Sequence, residues 1–254
     1  MKQDHGQSDP TALLRPGKRI YGVSIGIAIM DRRFPRPVGD LGNPRSFAFP
    51  VLYDVVHGVN NMPALSVEQT GDLFTPLYDS CMRLVDQGVA AITTTCGYAA
   101  LLQERLAEKL PVPFAASSLV QIPSVLALLG GRRRIGVLAA RGRSLTDRHL
   151  AATGVTAEQL GRIRKINLQE APAFRRAILD APGAEPLEVP AAAREIAALC
   201  KALADADSEI AGFVAECTNV GPYSAHIQAA TGLPVWDSVS LVNWLHAGVA
   251  RVAD

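Results

Sequence analysis

An internal repeat constrains this chain more than any other feature. Residues 91–120 read AITTTCGYAALLQERLAEKLPVPFAASSLV, and residues 211–242 read AGFVAECTNVGPYSAHIQAATGLPVWDSVSLV. Each runs apolar strand, cysteine, short polar turn, helix, Leu-Pro-Val, short strand, Ser-Leu-Val. Cys96 stands 15 residues before Pro111, and Cys217 stands 17 before Pro234. Four features in one order and near one spacing imply two similar α/β lobes. Each lobe would carry a cysteine at the carboxyl end of a core strand, where the next helix begins. Ligands of parallel sheets gather beyond those strand ends. If the lobes face each other, the thiols face across a cleft.

The rest of the chain fits that frame. Apolar, β-rich runs are expected as strands at 20–30, 90–95, 112–116, 134–140, 163–167, 209–215 and 235–237. Helical patterns fall at 74–87, 98–109, 119–129 (with Pro123 as a possible break), 145–153, 190–206, 223–230 and 239–252. This alternation predicts an α/β fold of two pseudo-symmetric lobes, each a parallel sheet flanked by helices. The expected organisation is an N-terminal arm (1–18), a first lobe of 19–117 plus 235–254, and a second lobe of 118–234. After the first strand comes DRRFPRPVGDLGNPRSFAFPV, whose Pro35, Pro37, Pro44 and Pro50 exclude helix and regular strand. A long proline-rich loop straight after a core strand is a candidate functional segment.

The chemistry follows from where the cysteines sit. A thiol at a helix N-terminus meets unpaired backbone N–H groups and the positive end of the helix dipole. This predicts a lowered pKa. The same N–H groups can hold a carboxylate. Thr95, Gly97 and Tyr98 flank the first thiol, and Glu216, Thr218 and Asn219 the second. Two thiols on opposite faces of a carbon acid can act as base and acid, so the expected outcome is inversion of a small carboxylic acid. No P-loop or GxGxxG motif is present, and this chemistry requires neither metal nor cofactor.

Composition narrows the alternatives. The formal net charge is +1, and 48% of residues are apolar against 19% charged. These values suggest neither a nucleic-acid groove nor a membrane patch. No apolar run reaches spanning length. The polar first residues do not read as a signal peptide, so the expected compartment is the cytoplasm with reduced thiols. Cysteines at 81, 96, 200 and 217 form no CxxC pair, which argues against zinc.

The paired turns TTTCGY and AECTNVG resemble the aspartate/glutamate racemase superfamily. It also holds hydantoin racemases, maleate isomerases, arylmalonate decarboxylases and a branch of dimethylsulfoniopropionate lyases. The resemblance runs from about Tyr21 to the C-terminus. It implies an active site between two lobes, a homodimer, Cys96 and Cys217 as the catalytic pair, and carboxylate binding by the turns after them. The reaction it implies is racemisation or epimerisation of an amino acid such as aspartate or glutamate. The alternatives are a lyase or decarboxylase on the same scaffold and, outside enzymes, a small-molecule binding protein. The best-known members carry Cys-Asn-Thr where this chain has Cys96-Gly97-Tyr98, so the two halves of the site are expected to do unequal work.

Other residues carry two readings. On the proline-rich loop, Arg36 could pair with a distal carboxylate. Asp40 could hold an ammonium group or orient a thiol, and Asn43 lies beside them; the plain reading is turn hydrogen bonding. Ser144 and Thr146 read first as helix N-caps. His226 reads as a partly buried helix histidine, Trp236 and Trp244 as core aromatics, and Cys81 and Cys200 as structural.

Overall fold

The strands form where apolar runs meet β-branched residues. In the computed structural model, which describes residues 17–59, 70–180 and 183–250, the first half holds β1 (Ile25–Met30), β2 (Val51–Val56), α1 (Thr70–Gln87), β3 (Ala91–Thr94), α2 (Gln103–Lys109), β4 (Phe114–Ala115) and α3 (Ile122–Leu129). The second holds β5 (Arg134–Ala139), α4 (Asp147–Ala151), α5 (Ala157–Leu160), β6 (Ile163–Asn167), α6 (Pro172–Phe174), α7 (Val189–Ala206), β7 (Ile210–Ala215), α8 (Ser224–Thr231), β8 (Val235–Trp236) and α9 (Ser238–Val249). Every strand pairing is parallel. The sheet orders, β2-β1-β3-β4 and β6-β5-β7-β8, are the same. The repeat is thus a repeat of folded lobes, with β3 and β7 at equivalent places.

Burial explains the strand sequences. β3 is fully buried although half of it is threonine. The hydroxyls of Thr93 and Thr94 donate to the carbonyls of Ala115 and Ala116 at 2.7 and 2.8 Å, so no buried polar group is left open. The helices after each lobe's last strand cross over. α3 places Ile122, Val125 and Leu126 in one core with Ile135 and Val137 of β5. α9 places Val242 against Ile25 and Ile27 of β1. Each fully buried aliphatic side chain contributes about 1.5–3 kcal/mol, so this exchange binds the lobes to each other.

The connection from β1 to β2 breaks the symmetry. Where β5 and β6 are joined through α4 and α5, residues 31–50 form a loop with one 3-10 turn, Pro44–Ser46, capped by Asn43. The loop seats on the second lobe. Gly39 has φ +100°, and a Cβ there would stand 2.7 Å from Pro222.

Several expectations need correction. β2 is a strand that the sequence pattern does not announce: its residues are mostly half-buried on an edge strand, which gives a weak pattern. β8 hydrogen-bonds to β7, so it belongs to the second sheet, while α9 behind it packs on the first. The helix expected from Tyr98 begins as a 3-10 helix, Gly97–Leu102. α5, α6 and the π-helical turn Arg175–Asp180 are additional. Trp244 is 62% exposed and His226 is exposed, so neither is a core residue. Most of the expected N-terminal arm, and the end of the last expected helix, lie outside the described residues. Among the described residues no helix is long and apolar enough to cross a membrane.

Candidate active site

The carboxyl ends of β3 and β7 meet. Thr95 Oγ1 accepts the Met30 N–H at 2.9 Å, which continues the β1–β3 ladder one step past its last rung. The Thr218 hydroxyl donates to the Thr95 carbonyl at 3.4 Å, joining one lobe's cysteine turn to the other's. Between them opens a cavity of about 140 Å³. That space suits a small metabolite.

Both Cys96 and Cys217 line this cavity, as do Thr95, Gly97, Tyr98, Thr218 and Asn219. The thiols are unlike. Cys96 is the N-cap of the 3-10 helix and is partly exposed. The Ala99 N–H donates to the Cys96 carbonyl at 3.0 Å and no N–H caps the thiol itself, but the nearby Ala99 and Tyr98 N–H groups lower its pKa. These donors act in the direction expected of a helix N-terminus, yet burial outweighs them and the thiol is pushed up to about 11, with the Glu216 charge adding to the rise. Cys217 is 6% exposed. Burial, then Glu216, hold it well above the usual thiol range. The expectation of lowered pKa values is thus reversed by burial. Cys81 and Cys200, by contrast, are fully buried in the two cores, with burial raising each thiol to about 12.

A hydrogen-bonded chain lies behind Cys217. Its thiol faces Asn219 Oδ1 at 3.7 Å. Asn219 Nδ2 donates to Asp40 Oδ2 at 2.6 Å, and Arg36 donates to Asp40 Oδ1 at 2.9 Å. Asp40 is 1% exposed and also accepts the Gly42 N–H. It therefore fixes Asn219 from behind rather than facing the cavity. Arg36 does line the cavity, with its guanidinium 4.5 Å over the Phe34 ring. Asn43 does not. Its side chain donates to the Arg36 carbonyl and accepts from the Arg45 N–H, holding the loop. Thr146 caps α4 in a capping box with His149, in line with the capping reading.

Sequence reasoning missed part of the wall. Met30, Arg32 and Phe34 come from the end of β1 and the start of the loop. Ile178 and Leu179 come from the π-helical turn, drawn in by Arg141, whose guanidinium donates to the Leu179 carbonyl at 2.7 Å. Tyr98 spans the lobes, its hydroxyl exchanging hydrogen bonds with the Arg141 backbone at 3.0 and 3.1 Å. Glu216 is the largest omission. It is 1% exposed, accepts the Ala140 N–H at 2.9 Å, and is raised by burial from 4.5 to about 7. Its signal in the sequence was Gly97. A Cβ there would stand 2.5 Å from the Glu216 carboxyl carbon, so the missing side chain in one lobe makes room for the carboxylate of the other.

No protein-family profile matches the chain. Dimethylsulfoniopropionate lyase 7 of Emiliania huxleyi is 30% identical over 87% of this chain, which spans 65% of that protein's length. A dimethylsulfoniopropionate lyase of Durusdinium is 28% identical over 88% of this chain and is spanned to 75%. Among solved structures, a liganded variant of arylmalonate decarboxylase superposes with TM-score 0.54 at 15% identity, covering 91% of this chain and 94% of that one. A glutamate racemase of Bacillus anthracis gives 0.55 at 14%, covering 89% and 82%. An aspartate racemase homologue of Pyrococcus horikoshii gives 0.54 at 15%, covering 90% and 99%.

Proposed function

We propose that this chain, whose fold is that of the aspartate/glutamate racemase superfamily, is a lyase that eliminates a dialkyl sulfide from a small sulfonium carboxylate of the dimethylsulfoniopropionate type. The observation that carries this reading is that two unlike thiols share one small cavity. The sequence relatives that span most of this chain support it, since both bear that lyase name.

Elimination needs one base at the carbon beside the carboxylate. Cys96 suits that role, because it is open to the cavity and two N–H groups favour its thiolate. A substrate cation in the cleft pulls the thiol pKa down, opposing burial and the Glu216 charge. The thiolate takes the α-proton, the α C–H electron pair becomes the carbon–carbon double bond, and the bond to sulfur breaks toward sulfur. Acrylate and neutral dimethyl sulfide leave, and the proton on Cys96 passes to solvent. Cys217, kept protonated and braced by Asn219, donates toward the enolate as charge develops there.

Racemisation is the second reading, favoured by the equivalent positions of the two cysteines in the repeated lobes. Purified protein is offered dimethylsulfoniopropionate and, separately, single enantiomers of aspartate and glutamate. Equal amounts of acrylate and dimethyl sulfide support the lyase. Loss of optical rotation from an amino acid without acrylate release supports the racemase and overturns the lyase.

A further inference from the structure

Elimination as written above gives Glu216 no task, yet the fold goes to some length to keep it. The side chain leaves the end of β7, crosses to the first lobe and lies over Gly97, where an added Cβ would collide with both its carboxylate and its backbone carbonyl. It lines the cavity, is 1% exposed, and accepts the Ala140 N–H. Among the described residues no ion pair to it is formed. A buried carboxylate costs free energy unless a cation or several donors meet it. Its pKa, raised to about 7 by burial, agrees with that shortfall. The missing partner has one direction to come from, the cavity, whose lining also includes the rings of Tyr98 and of Phe34, the latter beneath the Arg36 guanidinium. Such rings suit alkyl groups carried on a cation.

We propose that Glu216, seated over Gly97, is the residue that selects charge in this cleft: it receives the onium end of a zwitterionic substrate, a sulfonium or an alkylated ammonium, whose carboxylate lies elsewhere in the cavity. The inference rests on the cleft being the substrate site and adds to the lyase reading the group that discriminates. It also explains why the two cysteine turns differ. Thr218 follows Cys217, but a side chain in the matching place after Cys96 would collide with the carboxylate.

The test reads binding rather than turnover, with two ligands of one shape. N,N-dimethyl-β-alanine carries the cation and has a poor leaving group. Isocaproate has carbon in place of the charged nitrogen. By calorimetry the wild-type protein is expected to bind the zwitterion at least about 30-fold more tightly. Glu216→Gln, which keeps an oxygen for the Ala140 N–H, should bring the ratio close to one by weakening the zwitterion alone. Glu216→Asp should restore part of it. The proposal is overturned if wild type shows no preference, if Glu216→Gln keeps it, or if Gln and Asp variants lose both ligands alike. Charge selection by Glu216 without acrylate release would sink the lyase reading alone. Acrylate release without such selection would sink this one alone.

Discussion

Replacing Glu216 by Gln should change how stability depends on pH, and the sign can be worked out. The carboxyl moves from 4.5 in the unfolded chain to about 7 in the fold. Between those values the folded state holds a proton that the unfolded state has released. Its contribution is therefore fully present below 4.5 and is lost as pH rises through about 7. At ~1.4 kcal/mol per pH unit the loss is about 3 kcal/mol. His149 acts in the opposite sense, since burial lowers it from 6.5 to about 4 and its contribution is lost as pH falls through that window. Wild type alone would show a blurred profile, so the difference between wild type and variant is the quantity to measure. The titratable groups facing Glu216 (Cys96, Tyr98 and Cys217) are all raised and stay protonated across the window. Urea unfolding followed by tryptophan fluorescence is run at several values from about pH 4.5 to about pH 8. The variant should gain about 3 kcal/mol on wild type over that range. A difference that stays flat with pH refutes the claim that Glu216 is a buried, poorly compensated acid.

Gly97→Ala should destabilise the fold by about 1–3 kcal/mol through overpacking, because its Cβ would stand 2.5 Å from both the carboxyl carbon and the backbone carbonyl oxygen of Glu216; adding Glu216→Ala should recover only the side-chain part of that loss, which a double-mutant cycle by urea unfolding measures. Asp40→Asn leaves Arg36 without its buried partner and should cost about 3 kcal/mol, read as a fall in the unfolding midpoint at neutral pH. Alkylation by iodoacetamide, mapped by mass spectrometry, should label Cys96 before Cys217, with a rate still climbing beyond about pH 9, because burial holds both thiols up.

The two thiols were legible because a repeat leaves a signal no single motif carries. Cys96 and Cys217 mark equivalent strand ends, and apolar strand, Leu-Pro-Val and Ser-Leu-Val fix the phase of each copy. The second half of the wall was not legible, for different reasons. Ile178 and Leu179 sit on a π-helical turn, whose period matches neither helix nor strand templates. β2 is an edge strand with half-buried residues running straight out of a proline-rich loop. Glu216 reads as a polar residue ending a strand, and only the space over Gly97 shows that it turns inward. The pKa directions went astray because helix-terminus donors are visible in a sequence while desolvation is a property of the folded cleft. Asp40 reaches Cys217 only through Asn219 and does not line the cavity, a placement that its loop sequence does not reveal.

The most direct test of the account is a proton NMR time course of dimethylsulfoniopropionate with wild type, Cys96→Ala and Cys217→Ala. Wild type is expected to produce acrylate and dimethyl sulfide in step, and each variant to be slower by about a hundredfold to ten-thousandfold, the usual contribution of a positioned acid or base. Acrylate formed at the wild-type rate by both variants would contradict the assignment of proton transfer to the paired thiols.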